Sequence, residues 1–274
     1  MPVISNNAAA NSAVAYLNMN SAAESAAIQK IASGSRITQA SDDAAGLAIS
    51  TSISSDITTL QQAATNASQA TSILQTADGG AANISNILTR MKSLASESAS
   101  GTVTDSSRVY IQAEFSQLSS EIDSIASGTS YSGQNLLDGT SAFATGVNVL
   151  VGSSSADSVN VTIANLSVAS LGIGGLDVST ETGATAAMTT LDTAINTVSA
   201  ARATIGAQES RFNFSANSIS TQTQNLQGAN SAITDVDVAQ EEATLSSAMV
   251  KTQAAVSAET AANQMPQYLL KLLG

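Results

Sequence analysis

The chain has 274 residues, no cysteine, no histidine, and 21 acidic against 9 basic side chains, for a net charge of −12. Without thiols or imidazoles it lacks disulfides, thiolate nucleophiles, the commonest metal ligand and the usual general base near neutral pH, so no enzyme, metal centre or cofactor is expected. The few Lys and Arg do not cluster, which argues against a nucleic-acid partner, and no stretch is apolar enough for membrane insertion.

Apolar residues make up 43% of the chain, yet aromatics only 3%. The apolar content is therefore mostly Ala, with Ile, Leu and Val spaced along it. Ala is the best helix former and the smallest side chain that can line a close helix contact. Long, closely packed helices are expected in place of a thick globular core. The acidic balance helps keep an unassembled chain in solution. The opening residues, Met-Pro-Val-Ile-Ser-Asn-Asn, lack a basic segment and an apolar run, so no cleaved secretory signal is expected.

From the N-terminus, a helical pattern over residues 3–31 carries Val14, Leu17, Ile28 and Ile31. It is thin in large apolar groups and is expected to be poorly ordered until it finds partners. Gly34 can end this helix, leaving Ser35 to Ala40 as a short connector. Ser41 is the expected N-cap of the next helix, with Asp42 and Asp43 placing negative charge in its first turn. An apolar stripe follows through Ile53, Ile57, Leu60, Ala64 and Ala67, then Ile73, Ala77, Ile84, Ile87, Met91 and Leu94, with a phase slip near Ala70. A further helix carries Ile111, Phe115, Leu118, Ile122 and Ile125, and Gly101 and Gly128 punctuate the ends.

Residues 141–182 are rich in Gly, Ser and β-branched types. Val147 and Val149, then Val159, Val161 and Ile163, alternate at period two on either side of a polar loop at 152–157, a β-hairpin signal. Tyr131 to Gly139 adds a turn and a short strand. This region is expected to cap the end of a helical bundle. From residue 185 the helical period returns. Met188, Leu191, Ile195, Val198, Ile205, Phe212, Ala216, Ile219, Leu226 and Ile233 keep a three-and-four spacing, with Arg202, Glu209, Thr223 and Asn230 as polar breaks. That helix would run on the order of 70 Å at about 1.5 Å per residue. Asp235 and Asp237 pair as carboxylates, but a helix-start role outweighs a catalytic one because no base or metal ligand accompanies them. The last segment carries Leu245, Met249, Val256, Leu269 and Leu272 and is again thin in large apolar groups. The fold class is therefore mainly α: a long antiparallel helical bundle or coiled coil built from the N- and C-terminal halves, with a small β-hairpin region in the middle.

Several motifs, in order, point to one family. Ser33 to Ile49 (Ser-Gly-Ser-Arg-Ile-Thr-Gln-Ala-Ser-Asp-Asp-Ala-Ala-Gly-Leu-Ala-Ile) resembles the signature of bacterial flagellins. Ile205-Gly-Ala-Gln-Glu-Ser-Arg-Phe212 is similar to their Leu-Gly-Ala-x-Gln-Asn-Arg-Phe. Ile233 to Glu241 and the ending Ala262-Asn-Gln-Met-Pro-Gln-Tyr-Leu-Leu-Lys-Leu-Leu273 match as well. Four positions depart from the pattern: Glu209-Ser210 stand for Gln-Asn, Ala232 for a basic residue, and the chain ends in Gly274 instead of Arg.

The resemblance covers residues 1 to about 138 and 185 to 274. It implies a structural subunit that self-polymerises into the flagellar filament for swimming motility, outside the cell. It divides the chain into an inner-tube helix at 1–40, a rod-like helical domain at 41–233 and a second inner-tube helix at 234–274 that pairs with the first. Gly34, Arg36, Asp42, Asp43 and Gly46 fall in the connector between layers; for Asp42 and Asp43 both interlayer contact and helix capping stay open. The apolar positions named at the two ends are the self-assembly termini. No outer domain has room between the halves, so a thin, smooth filament is implied.

The implied partners are other copies of the chain, an export apparatus with an export chaperone on the C-terminal segment, and filament cap and hook-junction proteins. Export is implied to proceed unfolded through the hollow filament. In family members sensed by the vertebrate innate flagellin receptor, Arg, Leu and Gln match Arg90, Leu94 and Glu97; core or intersubunit packing is the competing reading of Leu94. The rival assignment within the same architecture is a hook–filament junction adaptor, against which the Asn-Gln-x-Pro-Gln ending argues. Asn-x-Ser/Thr sequons at Asn66, Asn83, Asn160, Asn165 and Asn213 are expected by chance in so Ser- and Thr-rich a chain.

Overall fold

The computed structural model describes residues 7–272, apart from the side chains of Leu269, Leu270 and Leu272. Among these residues are helices α1 (Ala8–Ser33), α2 (Ala44–Ser98), α3 (Asp105–Gly128), α4 (Glu181–Thr234) and α5 (Val238–Leu272). Two antiparallel hairpins lie between α3 and α4: β1 (Ser130–Tyr131) with β2 (Gln134–Asn135), and β3 (Val147–Leu150) with β4 (Ser158–Val161). The mainly α class with a small β region is as the sequence leads one to expect. The chain divides into two compact units, Met1–Ser55 with Asn225–Gly274, and Asp56–Gln224. Helices α2 and α4 each contribute to both.

In the unit Asp56–Gln224, α2 turns one unbroken seam inward. Leu60, Ala63, Ala67, Ala70, Leu74, Ala77, Ala81, Ile84, Leu88, Met91, Ala95 and Ser98 alternate by three and four and are all buried. The expected phase slip at Ala70 does not occur. Ile73 and Ile87, which suggested it, are half-buried on the flank of the seam. Helix α4 corrects the sequence reading in the same way. Its buried line runs through Ala184, Ala187, Leu191, Ala194, Val198, Ala201, Ile205, Phe212 and Ile219, while Met188 and Ile195 are half-buried beside it. In both seams Ala alternates with larger side chains, Leu74, Leu88, Leu191 and Phe212 among them, that are themselves fully buried.

Helices α2 and α4 are antiparallel: Lys92 pairs with Asp192, and Arg202 Nε lies 2.8 Å from Asp78 Oδ1. Helix α3 packs on the same core through Ile111, Phe115 and Ile122, also antiparallel to α2, with Arg90 Nη2 2.6 Å from Glu114 Oε1. Each fully buried Leu, Ile or Phe contributes about 1.5–3 kcal/mol. Gly80 makes one helix contact possible, because a Cβ there would lie 2.5 Å from Thr129 Oγ1 and 2.7 Å from Leu137 Cδ1.

The hairpin region does not cap the end of the bundle. It lies alongside α2 and α4, where Asn66 Nδ2 donates to the Leu150 carbonyl at 3.3 Å and Gln208 Nε2 to the Thr162 carbonyl at 3.1 Å. Val159, Val161, Ile163 and Leu166 enter the same core as the helices. The chain then returns along α3. The Val168 and Val178 amides donate to Asp123 Oδ1 at 2.9 Å and Gln112 Oε1 at 2.7 Å. These side-chain acceptors take the place of a strand partner, so the return needs no sheet.

Three side chains of this unit, Ser141, Gln208 and Glu209, hold a buried oxygen without a hydrogen-bond partner, and Glu209 is the ionisable one. Burial, and then the charge of Asp78, hold its carboxyl above the ordinary carboxylate range. The folded state therefore binds a proton more readily than the unfolded chain. The penalty on ionised Glu209 is present above the folded pKa and disappears as pH falls through it. Glu209→Gln is expected to raise the thermal midpoint at neutral pH. The gain should shrink to nothing on acidification, which paired melting curves across pH would show.

Candidate functional site

The unit Met1–Ser55 with Asn225–Gly274 holds the termini and the connector. Helix α1 turns Ala10, Ala13, Leu17, Asn20, Glu24, Ala27 and Ile31 inward, and α5 turns in Glu241, Leu245, Ala248, Thr252, Ala255, Glu259, Ala262 and Pro266. Both sets alternate by three and four. Asn7 reaches Ala262, Glu24 reaches Thr252 and Lys30 reaches Glu241, so the pair is an antiparallel coiled coil. Segments expected to be poorly ordered alone thus satisfy one another, because their seams match residue for residue.

Polar residues set the register. Asn7 caps α1, its Oδ1 accepting from the Ala10 amide at 3.2 Å. Its Nδ2 donates to the Ala262 carbonyl at 2.8 Å. That carbonyl lacks its helical donor because Pro266, four residues on, has no N–H. Asn7 therefore fills a gap that Pro266 creates at the far end of the chain. Sequence reasoning missed Asn7, Asn20, Glu24 and Thr252, although the seven-residue spacing of Ala248, Ala255 and Ala262 was there to find them.

The predicted assembly residues divide into two groups. Leu17, Ile31 and Leu245 are half-buried in the seam, while Val14, Ile28, Met249 and Val256 lie outside it, between 38% and 53% exposed. Tyr16, Met19, Val250, Met265 and Tyr268, which the sequence reading passed over, are more exposed still, at 60–67%. Leu269 and Leu272 fall in α5, but their side chains lie outside the described residues.

All five connector residues are in one small network. Gly34 ends α1 in the left-handed region at φ 69°. Beyond it the backbone pairs with the α4–α5 junction: Ser35 bridges Asp235, the Arg36 amide donates to the Thr234 carbonyl at 2.6 Å, and the Val236 amide donates to the Gly34 carbonyl at 3.1 Å. The Arg36 guanidinium adds two bonds to the Ile233 carbonyl, at 3.1 and 2.8 Å, and stands 3.7 Å from Asp43.

The helix cap is not Ser41. Asp43 takes that place, its Oδ1 accepting from the Gly46 amide at 2.8 Å. Asp42 instead pins the connector, accepting from the Thr38 amide at 3.0 Å, the Thr38 hydroxyl at 2.9 Å and the Gln39 amide at 3.1 Å. These bonds, the Thr38 amide foremost, hold its carboxyl below the ordinary carboxylate range. Gly46 is required by space, since a Cβ would sit 2.4 Å from Asp43 Oδ2 and 2.9 Å from Ile37 Cδ1. Asp237 caps α5, accepting from the Ala239 and Gln240 amides at 3.0 and 3.2 Å; Asp235 closes the end of α4 against Ser231.

Among the described residues no group of three or more Asp or Glu is placed to hold a metal ion, and no helix is long and apolar enough to cross a membrane. Leu94 is 2% exposed and belongs to the helical core, whereas Arg90, engaged with Glu114, and Glu97 are exposed beside it.

Two family models match the chain. One, described as the bacterial flagellin N-terminal helical region, matches residues 4–142; the other, the bacterial flagellin C-terminal helical region, matches residues 188–273. The chain belongs to the bacterial flagellins. This flagellin is similar, at 34% identity over 99% of each chain, to the flagellar filament 30.7 kDa core protein of Treponema maltophilum. It is also similar to the crystal structure of Bacillus cereus flagellin, at 32% identity and a TM-score of 0.52, over 61% of this chain and 94% of that one. A putative flagellar hook-associated protein from Vibrio parahaemolyticus shares the fold, with a TM-score of 0.61 over 71% of this chain and all of that one, but at 15% identity. That likeness reaches no further than the fold. Between the two family matches, residues 143–187 hold the β3–β4 hairpin, the return along α3 and the start of α4.

Proposed function

We propose that this flagellin is the structural subunit of a flagellar filament and works by self-polymerisation in swimming motility, outside the cell and without catalysis. The observation that carries this is the uncovered outer face of the α1–α5 pair. Tyr16, Met19, Met249, Val250, Met265 and Tyr268 are 53–67% exposed, although their helices already bury one another's seams. Alanine seams bury little area, and further copies of the chain would cover such a face in the filament. Assembly then orders and stabilises the terminal pair, and lateral burial offsets the conformational entropy lost. The contacts between copies are heterologous, because those give an open helical polymer.

On this reading residues 1–40 and 234–274 form the inner layer, 41–233 the surrounding one, and Arg36, which reaches the Ile233 carbonyl and Asp43, joins them. The exposed face of α5 is also the surface an export chaperone would shield, and the same ends would meet the export apparatus, the cap and the hook-junction proteins. A host receptor would touch Arg90 with Glu114, and Glu97, with Leu94 holding that surface from beneath. Identity of 34% over full length to a filament core protein weighs against a junction adaptor. Purified monomer given short filament seeds and salt is expected to grow long, thin filaments under negative-stain electron microscopy. Monomer that persists beside intact seeds would count against the proposal.

A further inference from the structure

The unit Asp56–Gln224 covers its apolar residues well, with two exceptions. Among its described residues the large apolar side chains left exposed are Val109 and Tyr110 on α3, at 60% and 78%, and Phe214 on α4, at 73%. The two patches cannot cover each other within one chain. The Arg90–Glu114 and Arg108–Ser98 contacts set Tyr110 level with about residue 95 of α2, and Arg202–Asp78 sets Phe214 level with about residue 66. At about 1.5 Å per residue the patches are on the order of 40 Å apart along α2.

Their surroundings are electrostatically complementary. Asp105 precedes Val109 by one turn and Glu114 follows Tyr110 by one turn; Arg108 and Arg90 pair with them, yet both carboxylates keep an open side, 93% and 46% exposed, for a further cation. Phe214 lies one turn from Arg211. Within this unit Arg90, Lys92, Arg108 and Arg202 each have an ion-pair partner, whereas Arg211 has none. An open groove of about 390 Å³ runs beside Arg211, between α4 and the β3–β4 loop. In a chain of net charge −12, a free arginine beside an exposed phenylalanine is where a second acidic copy can approach without repulsion.

We propose that the Val109–Tyr110 patch of one copy docks on the Phe214–Arg211 patch of a second copy. The contact is heterologous, and each chain meets a different neighbour at each patch, so it propagates without closing. This rests on the reading of the chain as a filament subunit.

The absence of native cysteine makes a direct test available. Two single variants, Tyr110→Cys and Phe214→Cys, are mixed, grown on wild-type seeds and treated with a short thiol cross-linker. The expected product is a dimer joined between positions 110 and 214, found in the mixture and in neither variant alone. Filaments without that link, or links joining 110 to 110, overturn the proposal. As a check independent of cysteine, Arg211→Glu is expected to slow elongation roughly tenfold with its melting midpoint unchanged. Elongation at the wild-type rate would overturn the proposal too. Failure of the wild-type chain to elongate would instead refute the filament reading itself.

Discussion

Deletion of residues 234–274 is expected to leave a folded, soluble chain that forms no filaments at any salt concentration, with or without seeds. The core formed by α2, α3, α4 and the hairpin draws only on residues between Ala67 and Phe212, so it keeps all its buried contacts. The terminal unit loses half its seam: Ala248, Ala255 and Ala262 disappear, and Ala10 and Ala27 lose the surface that buries them. The Thr234 carbonyl, which accepts from the Arg36 amide, goes as well. Helix α1 alone has too few large apolar residues to persist in water, since helical stability in proteins comes mostly from packing. Circular dichroism should therefore lose more helix than the deleted residues account for, while the cooperative unfolding of the remaining unit is retained. Filaments from the truncated chain would refute the assembly role of α5. Loss of the cooperative transition would show that the units do not fold independently.

Much of this architecture is legible in sequence because its helices are long and their period is sustained. The boundaries near Gly34, Gly101 and Gly128, the hairpin at 147–161 and the two terminal helices can all be read without coordinates. What misleads is the weight given to large side chains. Ile73 and Ile87 attract the eye and suggest a slip at Ala70, yet the seam passes through Ala70, Leu74, Ala81 and Leu88 without a break. Met188 and Ile195 do the same on α4. On α4 the seam positions beside them belong to Ala187 and Ala194, while on α2 Leu74 and Leu88 take the seam and the isoleucines fall one residue to the flank. A period search scored on hydrophobicity therefore lands one residue off.

The connector illustrates a different limit. That Gly34, Arg36, Asp42, Asp43 and Gly46 matter is carried by the motif, but the partners of Gly34 and Arg36 are some two hundred residues away in sequence. Arg36 reads locally as a solvent-facing base, and only the fold reveals that it holds the Ile233 carbonyl. The choice of Ser41 as cap failed because three candidate caps stand in a row, and the winner was fixed by the tight turn that Thr38 and Gln39 make around Asp42. Asn7 was invisible for a related reason: its purpose lies in the carbonyl that Pro266 leaves free.

Among the polar side chains, Arg108 is expected to matter most to stability. It is 6% exposed, near the start of α3, and its guanidinium reaches back to the end of α2. Nε donates to the Ser98 carbonyl at 2.8 Å and Nη2 to the Ser100 carbonyl at 3.0 Å, while Nη1 meets Asp105 Oδ1 at 2.8 Å. One planar group thereby satisfies the Ser98 carbonyl where α2 stops, joins the Val103 amide on the Ser100 carbonyl, and fixes the turn into α3. Arg108→Ala would leave the buried Ser98 carbonyl without a donor and lose the packing of the Arg108 stem, at a cost of about 2–4 kcal/mol. For a unit of this size that is a fall in melting temperature of roughly 5–15 °C. Arg108→Lys should recover less than half of the loss, because an ammonium cannot hold two carbonyls in the fork geometry. Asp105→Asn is the informative contrast. Its carboxylate is 93% exposed, so the ion pair is screened and its loss should cost below about 1 kcal/mol. If Asp105→Asn destabilised as much as Arg108→Ala in urea unfolding, the ion pair and not the carbonyl clasp would be what holds this corner.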